Sequence, residues 1–320
     1  MGTPDFAREQ LSALYENRDA LDSHITGVIS QPDKPKNRGH AFVKTDVKLY
    51  AEEVGLPVFQ PETLRDEAFA ALLKTLDPEL IVVAAYGKIL PGSVLSYPKY
   101  GCVNVHGSLL PAYRGAAPIQ RAVINGETVT GVTIMYMASG MDTGDMLAKV
   151  EVPILPEDDT GSMYEKLAAA GASLLVKTIP QVISGSITAV PQKDADATYA
   201  PKITKADTFI SFDTDAASLH NLIRGLSPQP SAQTILKTEK GEHRVKIVKS
   251  AVHDTHGEHA VPGTVLALDD KHDGSITVAC RNGALDILFL TPAGKGTVSA
   301  AAFIRGRQIV TCDRFEQIEL

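Results

Sequence analysis

Residues 101–111, Gly-Cys-Val-Asn-Val-His-Gly-Ser-Leu-Leu-Pro, restrict the architecture more than any other stretch of this chain. Apolar and polar side chains alternate through Cys102, Val103, Asn104, Val105 and His106, a run rich in β-branched residues, so it reads as a short buried strand. Gly107 then releases the backbone into a turn. A period of two puts Asn104 and His106 on one face, near the carboxyl end of that strand. Open parallel sheets bind ligands in the crevice outside the carboxyl ends of their strands, so an amide and an imidazole there are placed for chemistry. A second polar cluster, Ser139-Gly140-Met141-Asp142-Thr143-Gly144-Asp145, is a tight loop around two glycines, with Asp142 as its inward-facing acid. A histidine, an amide and a carboxylate are enough for acyl transfer.

Strand and helix patterns alternate around this stretch. Residues 1–6 form a turn, and Ala7, Leu11 and Leu14 at helical spacing follow it. Residues 24–30 are β-rich, 31–43 are loop with two prolines, and 45–54 are helical. Pro61-Glu62-Thr63 opens a further helix ending near Leu76, and 79–86 is a strand apolar on both faces, as parallel strands are. Residues 116–125 read as helix, 131–137 and 146–154 as strands. Ser162-x-x-Glu165 is a capping box ahead of Met163, Leu167, Ala170 and Leu174, predicting a long helix that Pro180 kinks or ends. The pattern predicts an α/β domain, a doubly wound, mostly parallel, Rossmann-like sheet, over 1–189. Linker composition follows at 190–206. Over 207–320, a short helix at 218–225 and short segments at 245–250, 263–268, 275–279 and 285–290 predict a small OB-like β-barrel.

Composition narrows the partners. Lys plus Arg number 31 against 38 Asp plus Glu, a net charge of −7, so no global basic field recruits a polyanion and any nucleic-acid contact is local. The concentrated basic feature of the first half is the loop 34–48, with Lys34, Lys36, Arg38, Lys44 and Lys48 against a single acid, Asp46. Cys102, Cys280 and Cys312 lie far apart, which fits a reducing compartment. The longest uninterrupted apolar run, 80–86, is too short for a membrane span, and no basic segment leads into an apolar one at the start. The expectation is a soluble, cytoplasmic, monomeric protein. His253, His256 and His259 with Asp254 and Glu258 are read as a solvated loop rather than a metal site, because Gly257 breaks any shared helical face. No metal is expected.

Six stretches together resemble the methionyl-tRNA formyltransferase family, within the folate-dependent formyltransferases: Gly2-Thr3-Pro4-Asp5-Phe6, Gln31-Pro32-Asp33, Tyr86-Gly87-Lys88-Ile89-Leu90-Pro91, Asn104-x-His106, the run Ser108 through Gln120 and Met141-Asp142-Thr143-Gly144-Asp145. The likeness spans nearly the whole chain. It implies transfer of the formyl group of 10-formyltetrahydrofolate to the α-amine of methionine on initiator methionyl-tRNA. It further implies that Asn104 and His106 donate to the formyl oxygen, and that Asp142 orients His106 and helps relay the proton. Tyr86, Gly87, Ile89 and Leu90, with Ser108, Leu109, Leu110 and Pro111, would line the folate pocket. Arg38, with Lys34 and Lys36 beside it, would meet the tRNA acceptor stem, and the barrel would contact tRNA.

The chain departs from the family pattern at Gln229, where an aromatic or glycine is frequent, and at Lys36-Asn37-Arg38, where Ala-Gly-Arg is common. It also starts without a strand before Gly2-Thr3-Pro4. The first strand of a doubly wound sheet lies in its middle, so the expectation is that an apolar strand precedes Gly2 in the native protein and that Met1 is an internal start. Two other functions share parts of this pattern: formyl transfer to a sugar-nucleotide amine, and tRNA binding by a catalytically impaired homologue.

Overall fold

The computed structural model describes residues 1–36 and 41–319; the candidate Arg38 lies outside the described residues. The chain divides into two compact units. The first comprises Met1–Pro118, Val129–Pro153 and Tyr164–Ala200, the second Ile119–Thr128, Ile154–Met163 and Pro201–Leu320.

In the first unit, α1 (Asp5–Glu16) follows Pro4 and buries Phe6, Ala7 and Gln10. β1 (Val28–Ile29) pairs in parallel with β4 (Val58–Phe59). Where the sequence predicts loop, β2 (Lys34–Lys36) and β3 (Ala41–Val43) form an antiparallel hairpin. α2 (Asp46–Glu53) is capped by Thr45, whose hydroxyl accepts from Lys48 N. α3 (Glu67–Leu76) starts later than Pro61-Glu62-Thr63 suggests, because the Asp66 carboxylate takes the Phe69 N–H and makes the cap there. β5 (Ile81–Ala84) runs parallel to β6 (Cys102–His106), with α4 (Gly92–Leu95) between them in sequence. β7 (Val129–Tyr136) and β8 (Met146–Pro153) complete the sheet as antiparallel strands, in the order β5-β6-β7-β8. β6 is therefore hydrogen-bonded on both sides, with Asn104 between Val83 and Met135.

α5 (Pro118–Ile124), α6 (Thr160–Ser184) and a short 3-10 helix at Asp194–Asp196 complete the elements up to residue 200. The reciprocal cap of α6 is Asp159 with Ser162, three residues before the expected pair: Ser162 N donates to Asp159 Oδ1 and Asp159 N to Ser162 Oγ. Pro180 does not end the helix, whose buried stripe of Leu167, Leu175, Ile179 and Val182 runs past it. By length and composition α6 would suit a membrane span, but that stripe marks it as a core helix.

Met1 and Gly2 lie between β1 and β5. Gly2 N donates to Ile29 O at 3.0 Å, Ala84 N donates to Met1 O at 3.0 Å, and the Met1 amine donates to Val82 O at 2.6 Å. Beside them is a cavity of about 580 Å³ whose lining includes Leu11, Leu14, Ile25, Leu76, Leu80 and Ile183. Burial pulls the pKa of the Met1 amine down to about 5.

In the second unit, α7 (Ala216–Gly225) packs Leu219 and Ile223 into the core of a curled antiparallel sheet. Its strands are β9 (Ala232–Thr238), β10 (Gly241–Asp254), β11 (Val265–Leu268), β12 (Ile276–Ala279), β13 (Ala284–Pro292), β14 (Val298–Ser299) and β15 (Arg314–Glu316), with α8 (Ala300–Arg305) after β14. They follow the order β11-β12-β13-β10-β9-β15, with β14 on β13. Register shifts along β10 let the long strand bend. The two ends of the sheet meet where Phe315 N donates to Gly263 O at 2.8 Å and Val265 N to Asp313 O at 2.9 Å.

Only glycine fits at that seam. Gly263 has φ +91°, and a Cβ there would lie 2.0 Å from Phe315 O. Gly263→Ala is expected to destabilise the protein by at least about 2 kcal/mol, combining left-handed strain with a backbone clash. A lower urea midpoint checks this, and an unchanged one would show that the seam yields at little cost.

Candidate active site

The sheet places two of the candidate residues directly. Asn104 and His106 share a face of β6, half-buried and buried respectively, on a strand that two neighbours hold in register. His106 Nε2 lies 3.0 Å from Tyr113 O. A carbonyl oxygen only accepts, so Nε2 carries the hydrogen and the ring is fixed in plane and tautomer. The other nitrogen, Nδ1, lies 3.7 Å from Asp142 Oδ2, an ion-pair separation rather than a hydrogen bond. The same carboxylate oxygen accepts from Gly115 N at 2.8 Å. Both partners of His106 have left-handed backbones, with φ +61° at Tyr113 and +52° at Asp142. Such conformations persist where the surroundings enforce them, and they recur at functional sites.

The turn after β6 is tied down by its own polar groups. Ser108 Oγ donates to Ala112 O at 2.6 Å, and Thr133 Oγ1 donates to Ser108 O while accepting from Leu110 N. Lys149 Nζ donates to Leu110 O. Ser108 and Leu110 are fully buried, whereas Leu109 and Pro111 are half-buried. After β5, the Tyr86 carbonyl accepts from Gln31 Nε2 at 2.7 Å and Thr3 Oγ1 at 3.2 Å, and Gly87 turns the chain with φ +76°. Tyr86 and Leu90 are buried, and burial pushes the Tyr86 phenol up to about 12. Ile89, 75% exposed, and Met141, 65% exposed, leave apolar side chains open to solvent.

The basic loop is less free than its composition suggests. Lys44 pairs with Glu52 at 2.6 Å, and Lys48 pairs with Asp33 at 2.6 Å while also donating to Gln60. Hydrogen bonds from Lys48 and Gln60 hold the Asp33 carboxyl below its usual range. Lys34 is exposed on β2; Lys36 lies on the same strand. Among the described residues no group of three or more His, Cys, Asp or Glu side chains is arranged to hold a metal ion. His253 pairs with Asp286 and His259 with Asp254.

One participant gives no signal in the sequence. Gln192, in the polar stretch after α6, donates through Nε2 to Asp142 O and Gly144 O, both at 2.8 Å. Its Oε1 accepts from Nε of the buried Arg114 at 3.0 Å. A lone glutamine among Pro, Lys and Asp carries no periodicity to mark it.

A formyl transferase family model matches residues 1–179, and a formyl transferase C-terminal domain model matches 202–308. The chain is 44% identical to the methionyl-tRNA formyltransferase of Halalkalibacterium halodurans over 96% of its own length and 93% of the relative's. It is likewise 44% identical to the enzyme of that name from Thermodesulfovibrio yellowstonii, over 96% and 95%. Among solved structures, the sugar 3N-formyl transferase WlaRD superposes with a TM-score of 0.63 at 19% identity, covering 92% of this chain and 97% of that one. The N-formyltransferase from Helicobacter canadensis gives 0.61 at 18%, covering 89% and 96%. At such identities these two show a shared fold, while the curated relatives define the group. From its sequence along nearly its full length, the chain belongs to the methionyl-tRNA formyltransferase family.

Proposed function

We propose that this chain transfers the formyl group of 10-formyltetrahydrofolate to the α-amine of methionine on initiator tRNA, with Asn104, His106 and Asp142 as its catalytic residues. The observation that carries the reading is the His106–Asp142 pair at the carboxyl end of a central strand that also bears Asn104. The exposed Ile89, on the segment leaving the neighbouring strand, suits the apolar face of a flat heterocycle, with the backbone of 87–90 available to its polar edge and the turn 108–111 as a wall. The folate supplies an activated formyl group.

Attack by the amine moves charge onto the formyl oxygen, which the Asn104 amide and, once Nδ1 is protonated, the His106 ring stabilise from one strand face. The amine must also lose a proton. Nδ1 of His106 faces a carboxylate and its Nε2–H is engaged by Tyr113, so a proton arriving at Nδ1 is shared with Asp142 and can pass to the departing folate nitrogen. Lys34, Lys36 and Arg38 meet the tRNA, and the barrel extends that contact. The reaction is cytoplasmic and the enzyme acts as a monomer in this reading.

Incubation with 10-formyltetrahydrofolate and, separately, labelled methionyl-initiator tRNA, methionyl-elongator tRNA and an amino-sugar nucleotide tests it. Formylation confined to the initiator substrate is expected. Formylation of the sugar instead would overturn the proposal, and binding of tRNA without turnover would mark an impaired homologue. Arg38→Ala is expected to weaken tRNA binding and to flatten its log-log salt dependence by up to about one, with folate binding intact. An unchanged slope in salt-titrated binding would assign Arg38 to solvent.

A further inference from the structure

We infer that Gln192 is a positioning residue for formyl transfer, the centre of a strap that holds both partners of His106 in place. This rests on the assignment of His106 and Asp142 as a catalytic pair. The strap runs from Val190 to Ala200. At its start Val190 and Met146 exchange backbone hydrogen bonds of 2.8 and 2.9 Å, which anchors it to the first residue of β8. Gln192 follows and closes the loop that carries Asp142, spanning the carbonyls of Asp142 and Gly144 with the two hydrogens of one amide. That loop has no slack, because a Cβ on Gly144 would lie 1.8 Å from Tyr136 O.

At its far end the strap holds the other wall. Thr198 Oγ1 accepts from Tyr113 N at 2.8 Å, Thr198 O accepts from Arg114 N at 2.9 Å, and Ala200 N donates to Arg114 O at 2.7 Å. Tyr113 presents the carbonyl that orients His106, and Gly115 presents the N–H that orients Asp142. The buried Arg114 between them joins the two walls, donating to Gln192 and pairing with Asp194 at 3.0 Å. The strap thus fixes Tyr113 and Asp142 relative to one another, and with them the 3.7 Å separation of imidazole and carboxylate.

A separation set this way is sensitive, because a displacement of roughly 1 Å at reacting groups can cost on the order of a hundredfold in rate. The amide is also specific in kind. Gln192→Glu has the same size and still accepts from Arg114, but its carboxylate faces two carbonyl oxygens with no hydrogen to offer. Gln192→Met keeps the length and makes neither bond.

The test measures kcat, KM for both substrates and melting temperature for Gln192→Glu and Gln192→Met, with His106→Ala as reference. Both Gln192 variants are expected to lose roughly ten- to a hundredfold in kcat, with KM within about twofold and folding retained. Wild-type kcat in either variant overturns the inference. So does a loss shared between kcat and KM that tracks a fall in melting temperature, since that marks general structural support. Full activity in His106→Ala would instead overturn the assignment of the catalytic pair.

Discussion

Replacing His106 or Asn104 with alanine is expected to lower kcat by at least about a hundredfold while KM for both substrates changes little. Loss of one preorganised donor to a developing oxyanion costs roughly 2.7 to 4 kcal/mol, because a buried donor stabilises charge without solvent having to reorganise. His106 is 6% exposed and sits on a strand paired on both sides, so its ring is both buried and rigid. An interaction made chiefly in the transition state appears in kcat rather than in KM. Asp142→Asn tests the other half of the pair. Its remaining side-chain oxygen still accepts from Gly115 N, so the loop is preserved while the negative charge beside Nδ1 is lost, and a comparable fall in kcat is expected. Steady-state kinetics alongside melting curves separate these losses from unfolding, and wild-type turnover in any of the three removes that residue from the mechanism.

For a chain with a free amine at Met1, stability is expected to fall by up to about 4 kcal/mol as pH drops from 8 to 5. Burial lowers the pKa of this amine from 8.0 to about 5. Below pH 8 the unfolded chain binds a proton that the folded chain rejects, so stability rises with pH throughout that interval and is flat above it. Each pH unit corresponds to about 1.36 kcal/mol. Urea midpoints at intervals from pH 5 to pH 8, for the free chain and for one acetylated at Met1, isolate the effect. Acetylation should remove that contribution and leave a shallower slope, and equal slopes in the two would show that the amine is solvated.

Where apolar periodicity was dense, the fold was legible. The strands around 79–86, 101–106, 131–137 and 146–154 and the long helix after residue 160 all follow from side chains whose burial demands one face or two. Asn104 and His106 on one face needed only the period of a strand. Features set by hydrogen bonding were harder to read. β2, with two lysines and a proline, hid in loop composition and its partner β3 with it, and the start of α6 is set by Asp159, which local pattern does not separate from Ser162. β9 points Thr234 inward beside Leu236, which blurs its alternation. Gln192 lay beyond reach for a different reason. Its partners are backbone carbonyls about fifty residues away, and a backbone carbonyl has no residue type.

The second unit is assembled from three separated stretches of chain, and this has a consequence for synthesis on the ribosome. Thr160 Oγ1 donates to Gly225 O, a partner 65 residues later, and Ile124 sits against the same glycine. At roughly 5 to 20 residues per second, the 154–163 segment waits on the order of 3 to 13 seconds for that partner to be made. During that interval Ile124, packed in the finished protein against the core of residues 210–315, lacks that core. Nascent chains halted near residue 200 should therefore bind holdase chaperones, and those extended through β15 should release them.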